Sequence, residues 1–370
     1  MSTQASGGAA SQAKLSVGSK LTNTDLAMEA VRSFFPNAEA VKLTPTAGGV
    51  NNVVQYLELP DGKKKILRIY NNGLNTARVA FEHEILKQLN NKYPSPSFRI
   101  PKLMPCLKDQ SKTYVELSSG ACACIVDIIE GGLPKLTCVR DIGRASGELN
   151  TMITTIKLDP KFGSGPTPPY YELFKVHHAV TRESFYKELA GPSFDSVRSF
   201  ATKMAGEIQE MEKKIDSLVK LKLPFGLIHG DLHYDNVLVK DGRVTGLLDF
   251  EFASNDWRAM ELAICLSKYA GEKDAQGNSI AMPFFNDFID GFAEMGQLTD
   301  PEIEAIPDLI NLRILSNVVY FVGRALSGED DISSLTTRIG NYCGRVDWIK
   351  NNGDKIRDSI KSKMRPAVDL

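Results

Sequence analysis

One stretch, Leu227 to Leu262 (LIHGDLHYDNVLVKDGRVTGLLDFEFASNDWRAMEL), constrains this chain more than any other. An apolar run delivers His229-Gly230-Asp231, and Asn236 follows five residues after the aspartate. Val237-Leu238-Val239 comes next, then a turn at Asp241-Gly242, and Val244 to Leu248 delivers Asp249-Phe250-Glu251. Apolar segments bounded by a Gly-containing turn predict a strand–turn–strand arrangement. That arrangement would place Asp231, Asn236 and Asp249 near one edge of a small sheet. Two carboxylates and an amide oxygen facing one another are what phosphoryl transfer with magnesium requires. Each of the three, taken alone, also reads as a polar turn residue capping a strand; the joint pattern is much rarer than its parts.

Composition narrows the class. With 370 residues, 42% hydrophobic and 24% charged, the chain is long enough for two domains. A formal net charge of −1 gives no reason to expect a nucleic acid or an anionic membrane as partner. The six cysteines form no C-x-x-C pair, and several sit inside apolar runs, which suits buried free thiols in a reducing compartment. No apolar run is read as a membrane span. The expectation is a cytoplasmic protein, with an organellar matrix or stroma as the second choice, and a monomer or homodimer.

Residues 1–20 are rich in Ser, Ala and Gly without an aromatic or an acid, and are expected to be a disordered tail. Thr24 is a candidate N-cap for a helix over Asp25 to Phe35. Strands are predicted near Val41-Leu43, over Val53 to Leu59, and over Lys65 to Tyr70 after the Asp61-Gly62 turn. Gly48-Gly49-Val50-Asn51-Asn52 is a glycine turn whose backbone N–H groups could approach phosphate oxygens, although the same residues read as a plain hairpin. Thr76 to Leu89 has helical spacing and carries Glu82 and Glu84. Glu82 is preferred as the partner of a basic strand residue, here Arg68, with a solvated face as its plain alternative. Pro101 to Pro105 and Tyr114 to Leu117 read as strands. Ala121 to Ile129 is a buried strand entering a linker at Glu130-Gly131-Gly132; in a nucleotide enzyme, the backbone about Asp127 and Ile129 is where the adenine edge would be read.

Beyond Thr137 helices are predicted over Val139 to Met152, from Phe185 or Phe194 to Leu221, over Trp257 to Tyr269, over residues 281–298 and 302–328, and from Ser333 to Asn351. Lys161 to Pro169 must be loop. His177 and His178, adjacent and read as helical, would point apart, so no zinc site is expected there.

These markers together resemble the aminoglycoside phosphotransferase / choline kinase-like superfamily of small-molecule kinases, over about Val41 to Asn351. The decisive ones are His229-Gly230-Asp231-x-x-x-x-Asn236 and Asp249-Phe250-Glu251; the glycine turn, Arg68 and Glu82 support them. Asp249 to Asp256 followed by Glu261-Leu262-Ala263 is similar to type II homoserine kinases, whose D-F-Y-F-A-C-N-D is also followed by an acid before Leu-Ala. Leu312 to Leu326, with Arg313 and Arg324, resembles their C-terminal helix. Asp-Phe-Glu is also similar to choline and ethanolamine kinases, but those usually carry Asn where Gly230 stands.

The resemblance implies an α+β, protein-kinase-like two-lobe fold: a small antiparallel-sheet lobe over 21–130, and a larger, mainly helical lobe over 131–370. It implies ATP and Mg2+, with a small-molecule alcohol as acceptor. Asp231 would orient or accept the hydroxyl proton, and His229 would brace its loop. Asn236 and Asp249 would hold the metal, with Glu251 as a further ligand or a loop anchor. Gly48, Gly49, Asn51, Asn52, Arg68, Glu82, Asp127 and Ile129 would bind the nucleotide. Arg313 and Arg324 are the candidate cations for a substrate carboxylate, and His233 a candidate substrate contact. Arg68 stands where lysine is common; it keeps the charge and can bind phosphate bidentately. The acceptor is expected to be a homoserine-like hydroxy amino acid or an amino alcohol. The alternatives are a choline/ethanolamine or aminoglycoside-type kinase, and a non-catalytic pseudokinase, which the retained Asp231, Asn236 and Asp249 argue against.

Overall fold

Alternation along the strands sets the first half of the fold. The structure, a computed structural model, describes residues 23–46, 52–70 and 76–364. The expected tail over 1–20 lies outside these residues, as do Gly48, Gly49 and Asn51. Contacts divide the described chain into two units: residues up to Pro94 with Arg99–Glu130, and Ser95–Phe98 with Gly131 onward.

The first unit opens with helix α1 (Asn23–Phe34) and continues through strands β1 (Lys42–Pro45), β2 (Val53–Glu58) and β3 (Lys64–Ile69), helix α2 (Thr76–Lys92), and strands β4 (Val115–Glu116) and β5 (Cys122–Asp127). The strands form one antiparallel sheet in the order β1-β2-β3-β5-β4. Because successive strand residues face opposite sides, Leu67, Ile69, Ala123 and Ile125 pack with Leu26, Ala30 and Phe34 of α1. Tyr70, Cys122 and Cys124 turn to the other face and pack with Val79 of α2. The expected strand at Pro101 to Pro105 reduces to a single bridge, Leu103 to Val126, since prolines at both ends cannot donate to a ladder.

The second unit is mainly helical. It contains α3 (Val139–Ile153), α4 (Arg182–Ala190), α5 (Arg198–Lys220), strands β6 (Phe225–Ile228), β7 (Val237–Lys240), β8 (Arg243–Leu247) and β9 (Ser254–Trp257), then α6 (Met260–Tyr269), α7 (Ala281–Phe292), α8 (Asp300–Leu326), α9 (Ser333–Thr336) and α10 (Ile339–Lys363). Two expectations are corrected here. The long helix ending at Leu221 is two helices, broken by a 3-10 turn over Pro192–Val197, because Gly191-Pro192 removes an amide donor. Trp257 ends a strand: β6 pairs antiparallel with β9, Phe225 opposite Trp257 and Ile228 opposite Ser254.

Helices α3 and α7 cross at a contact that only glycine permits. A Cβ on Gly143 would lie 2.1 Å from the Phe288 carbonyl oxygen, and one on Gly291 would lie 1.8 Å from that of Arg140. Helix α8 starts in a capping box, in which the Thr299 N–H donates to Glu302 at 2.8 Å. Pro307 falls inside this helix rather than near a new start. α8 is long and apolar enough to span a membrane by length and composition, but 78% of that window is buried within the protein. It is a core helix: Leu309, Ile310, Leu312, Ile314 and Val318 are fully buried, each worth roughly 1.5–3 kcal/mol relative to exposure.

Candidate active site

The loop after β6 is shaped by one residue without a side chain. Gly230 has φ +81°, and a Cβ there would stand 2.2 Å from the Phe252 carbonyl oxygen. Left-handed backbone and this close approach together require glycine. On either side the loop is tied down. The His229 N–H donates to Glu261 Oε2 at 2.6 Å. The His229 ring accepts the Asp231 N–H at Nδ1, 3.3 Å, and lies 2.9 Å from the Leu248 carbonyl at Nε2. That pairing fixes the neutral tautomer with the proton on Nε2, and burial pulls the His229 pKa down to about 4. His229 is thus a brace between the Asp231 loop and the end of β8. Glu261, on α6 and fully buried, is the anchor, and burial raises its pKa to about 7 against the pull of the His229 and Gly230 amides.

Asp231 is the focus of this loop. Arg313 donates to its Oδ1 at 2.5 Å, and Asn236 Nδ2 donates to its backbone oxygen at 2.9 Å and to Oδ2 at 3.3 Å. His233 Nε2 lies 3.5 Å from Oδ2. Burial pushes this carboxyl up, but His233 and Arg313 outweigh it and hold it far below the usual carboxylate range. In the β7–β8 hairpin Val237 faces Leu247, and the Leu248 N–H donates to the Asn236 carbonyl at 2.9 Å. Asn236 and Asp249 therefore flank the same end of one hairpin. The Asn236 amide nitrogen is engaged by Asp231, which leaves its side-chain oxygen as the remaining donor atom. An amide oxygen beside a carboxylate is a hard-oxygen set, the chemistry that suits a divalent cation such as magnesium. Asp249 itself takes φ +66°, a conformation that Asp tolerates better than most residues. Glu251 follows in the 3-10 turn Phe250–Phe252, next to Tyr320 in the local field.

In the first unit, Arg68 NH1 donates to Glu82 Oε1 at 2.9 Å, with the Glu82 side chain 4% exposed. The preference for Glu82 over Glu84 follows the geometry: Glu84 pairs with Gln88. Two positions after Arg68 and one after Glu82, Tyr70 and His83 meet, the hydroxyl 3.1 Å from Nε2, while His83 Nδ1 sits 2.7 Å from the Thr113 hydroxyl. Burial lowers the His83 pKa to about 3, so this second tie between strand and helix is neutral. Asp127 closes β5 in an ion pair with Lys65, and its N–H donates to Lys102 at 3.0 Å; Ile129 lies just past the strand. Asn52 is buried at the start of β2.

The two candidate substrate cations are placed differently. Arg313 faces Asp231, its guanidinium carbon 5.3 Å from the Tyr170 ring centre. Arg324 is held by Asp330 at 2.6 Å and Glu329 at 3.1 Å, within its own end of α8 and the turn that follows. His233 is 9% exposed and accepts the Asp235 N–H at 3.2 Å. Residues 177 and 178 are not helical: they lie in a turn with their rings stacked at 4.5 Å, and both approach Glu329. There the His177 ring accepts the Ala179 N–H at Nδ1, so Nε2 carries the proton directed at Glu329, 3.2 Å away.

Three further residues join this region: Tyr170 and Lys268, which belong to no motif, and Asp256, which ends the Asp249-to-Asp256 stretch but had no assigned role. Tyr170, from the Pro/Gly-rich loop, donates its hydroxyl to the Gly230 carbonyl at 2.7 Å, and its N–H to Asp256 at 2.6 Å. Asp256 is fully buried, and burial raises its pKa to about 7. Lys268 of α6 lies 3.3 Å from Asp235. Only the Asn-Asp pair before Trp257 hinted at any of these.

Residues 42–300 match the family described as the Phosphotransferase enzyme family, APH. The chain belongs to this family. A homoserine kinase of Parvibaculum lavamentivorans is 36% identical over 121 residues, covering 32% of this chain and 37% of that protein. The match thus spans little more than a third of that relative's length. A homoserine kinase of Rhizobium etli is 25% identical over 293 residues, covering 77% of this chain and 82% of the relative. Among solved structures, an amicoumacin kinase in complex with AMP-PNP, Ca2+ and Ami superposes with a TM-score of 0.59 at 16% identity, covering 86% of this chain and 91% of that one. That likeness is one of fold. The chain has the expected protein-kinase-like α+β architecture, with a small antiparallel-sheet unit and a larger helical one.

Proposed function

We propose that this phosphotransferase transfers the γ-phosphoryl group of ATP, with magnesium, to the hydroxyl of a homoserine-like hydroxy amino acid. The observation that carries the substrate reading is the buried guanidinium of Arg313, 2.5 Å from the Asp231 carboxylate. It provides a cation for a carboxylate beside the group that would face the acceptor hydroxyl. The homoserine kinases among the relatives agree with it.

In this reading the acceptor oxygen forms a bond to the γ-phosphorus while the bond from that phosphorus to the β,γ-bridging oxygen breaks and ADP departs. Asp231 orients the hydroxyl and receives its proton. Its depressed pKa keeps it ionised, so its first contribution is alignment, with proton transfer completing as charge leaves the acceptor oxygen. Asn236 and Asp249 would hold magnesium, with Glu251 as a further donor. When bound, the ion neutralises phosphate charge. Arg68, fixed by Glu82, supplies a further cation for the nucleotide phosphates. The proposed turn at Gly48, Gly49, Asn51 and Asn52 and the backbone near Asp127 and Ile129 complete nucleotide binding. His229 holds the loop and takes no part in proton transfer. His233, 3.5 Å from Asp231 Oδ2, would contact the acceptor; Arg324, engaged by Asp330 and Glu329, is the weaker candidate for the substrate carboxylate.

The experiment is a screen of ATP-dependent phosphorylation by 31P NMR over homoserine, hydroxylysine, choline, methylthioribose and an aminoglycoside. Homoserine or hydroxylysine is expected to give the phosphomonoester. Turnover of choline alone would overturn the amino-acid reading.

A further inference from the structure

Arg313 and Asp231 satisfy each other in a way that a working site cannot keep. Asp231 offers two oxygens. Oδ1 takes the Arg313 NH2 donor at 2.5 Å; Oδ2 faces Asn236 at 3.3 Å and His233 at 3.5 Å. A neutral alcohol approaching Oδ1 must compete with a guanidinium, and a charge-assisted pair is about twice as strong as a neutral hydrogen bond. Arg313 cannot simply step aside. It is 9% exposed; its NH1 donates to Asn317, and its Nε is buried with no hydrogen-bond partner among the described residues. Removing its carboxylate would leave an uncompensated buried charge, which is strongly unfavourable. Only another anion can release it.

The geometry points to an exchange: Arg313 masks Asp231 until the carboxylate of the acceptor takes over the guanidinium, freeing Oδ1 for the hydroxyl of the same molecule. This rests on the hydroxy-amino-acid reading above and deepens it. In homoserine three carbons separate the hydroxyl oxygen from the carboxylate, so one molecule can offer both groups to the two partners. The arrangement makes Arg313 a specificity-determining residue whose selectivity is expressed in turnover as well as in binding. A ligand without the anion can bind, but it meets an aspartate that is still occupied. The unpartnered Nε suits this role, because it gives the guanidinium a second edge to present to a carboxylate fork.

The test uses the full-length wild-type protein with saturating Mg-ATP and two acceptors, L-homoserine and 3-aminopropan-1-ol. The second keeps the hydroxyl and the amine and lacks the carboxylate. The expected result is a kcat lower by ~10²-fold for aminopropanol. Added acetate should raise that kcat by ~5-fold or more and inhibit homoserine turnover competitively, since it supplies the missing anion to the same guanidinium. Equal kcat values, with the difference confined to KM, would overturn the exchange, because Arg313 would then contribute uniform binding only. Failure of acetate to stimulate at any concentration would overturn it as well. If neither alcohol is phosphorylated while another acceptor is, the substrate reading fails and the exchange with it, an outcome distinct from the first two. Arg313→Gln should bring the two kcat values within ~3-fold of each other. If that variant does not fold, the wild-type pair with its acetate titration decides alone.

Discussion

At the scale of single residues, the loop carrying Asp231 was largely legible, because its chemistry is written in local order: Gly230 for a backbone that admits no Cβ, Asn236 at the mouth of a hairpin, Asp249 at the other strand's end. Substituting Gly230→Ala should destabilise the protein by at least ~2 kcal/mol and remove activity, read by urea unfolding and by ADP release. The clash at 2.2 Å is with a backbone oxygen that has no freedom to yield. Arg313 was a candidate from sequence, but its contact with Asp231 was not legible; 82 positions separate the pair, and only the fold joins them. Tyr170 was missed for the same reason, and Asp256, although it ends a quoted motif, gave no sign of its bond to the Tyr170 N–H. A tyrosine in a Pro/Gly loop carries no spacing signal for the carbonyl of Gly230.

At the scale of elements, two ties hold α2 to the sheet: the charged Arg68–Glu82 pair and the neutral Tyr70–His83–Thr113 chain beside it. The helix and its glutamate follow from periodicity. The neutral chain does not, since a histidine after a glutamate on an apolar helix face has no distinctive pattern. Tyr70→Phe removes the partner of a buried imidazole nitrogen and should cost ~1–3 kcal/mol, measured by thermal unfolding. The KM for ATP should rise alongside if α2 positions Arg68. The anchoring of the Asp231 loop to α6 has a pH signature. Glu261 is raised by burial to about 7 in the folded protein, above its unfolded value near 4.3. The native state binds the extra proton, so this contribution is complete below the unfolded value and is lost as pH rises through the folded one. Glu261→Gln should therefore gain stability relative to wild type between pH 5 and pH 8, read from urea midpoints. A constant difference across that range would show that Glu261 is ionised throughout. Trp257, the last residue of β9, was read as a helix start because Trp257 to Tyr269 is mostly apolar; the end of a short strand paired with β6 is distinguished from a helix start by its partner, not by its own residues.

At the scale of the whole molecule, the α+β fold class, a small antiparallel sheet and a larger helical part, was readable from where alternation gives way to three- and four-residue spacing near Thr137. The burial of α8 was not, because an apolar 27-residue helix has the same composition in a core as in a membrane. Its polar interruption, Arg313, became meaningful only beside Asp231. The hard-oxygen donors Asn236 and Asp249 predict that EDTA abolishes phosphoryl transfer and that Mg2+ or Mn2+ restores it, with ADP release as the readout. The proposed transfer depends on Asp231 facing an acceptor hydroxyl. The most direct test is Asp231→Asn, assayed for phosphomonoester formation by 31P NMR and for nucleotide affinity by calorimetry. The expected result is a loss of transfer of ~10²–10⁴-fold with ATP affinity kept within ~3-fold of wild type; transfer at the wild-type rate would rule out Asp231 as the group that faces the hydroxyl.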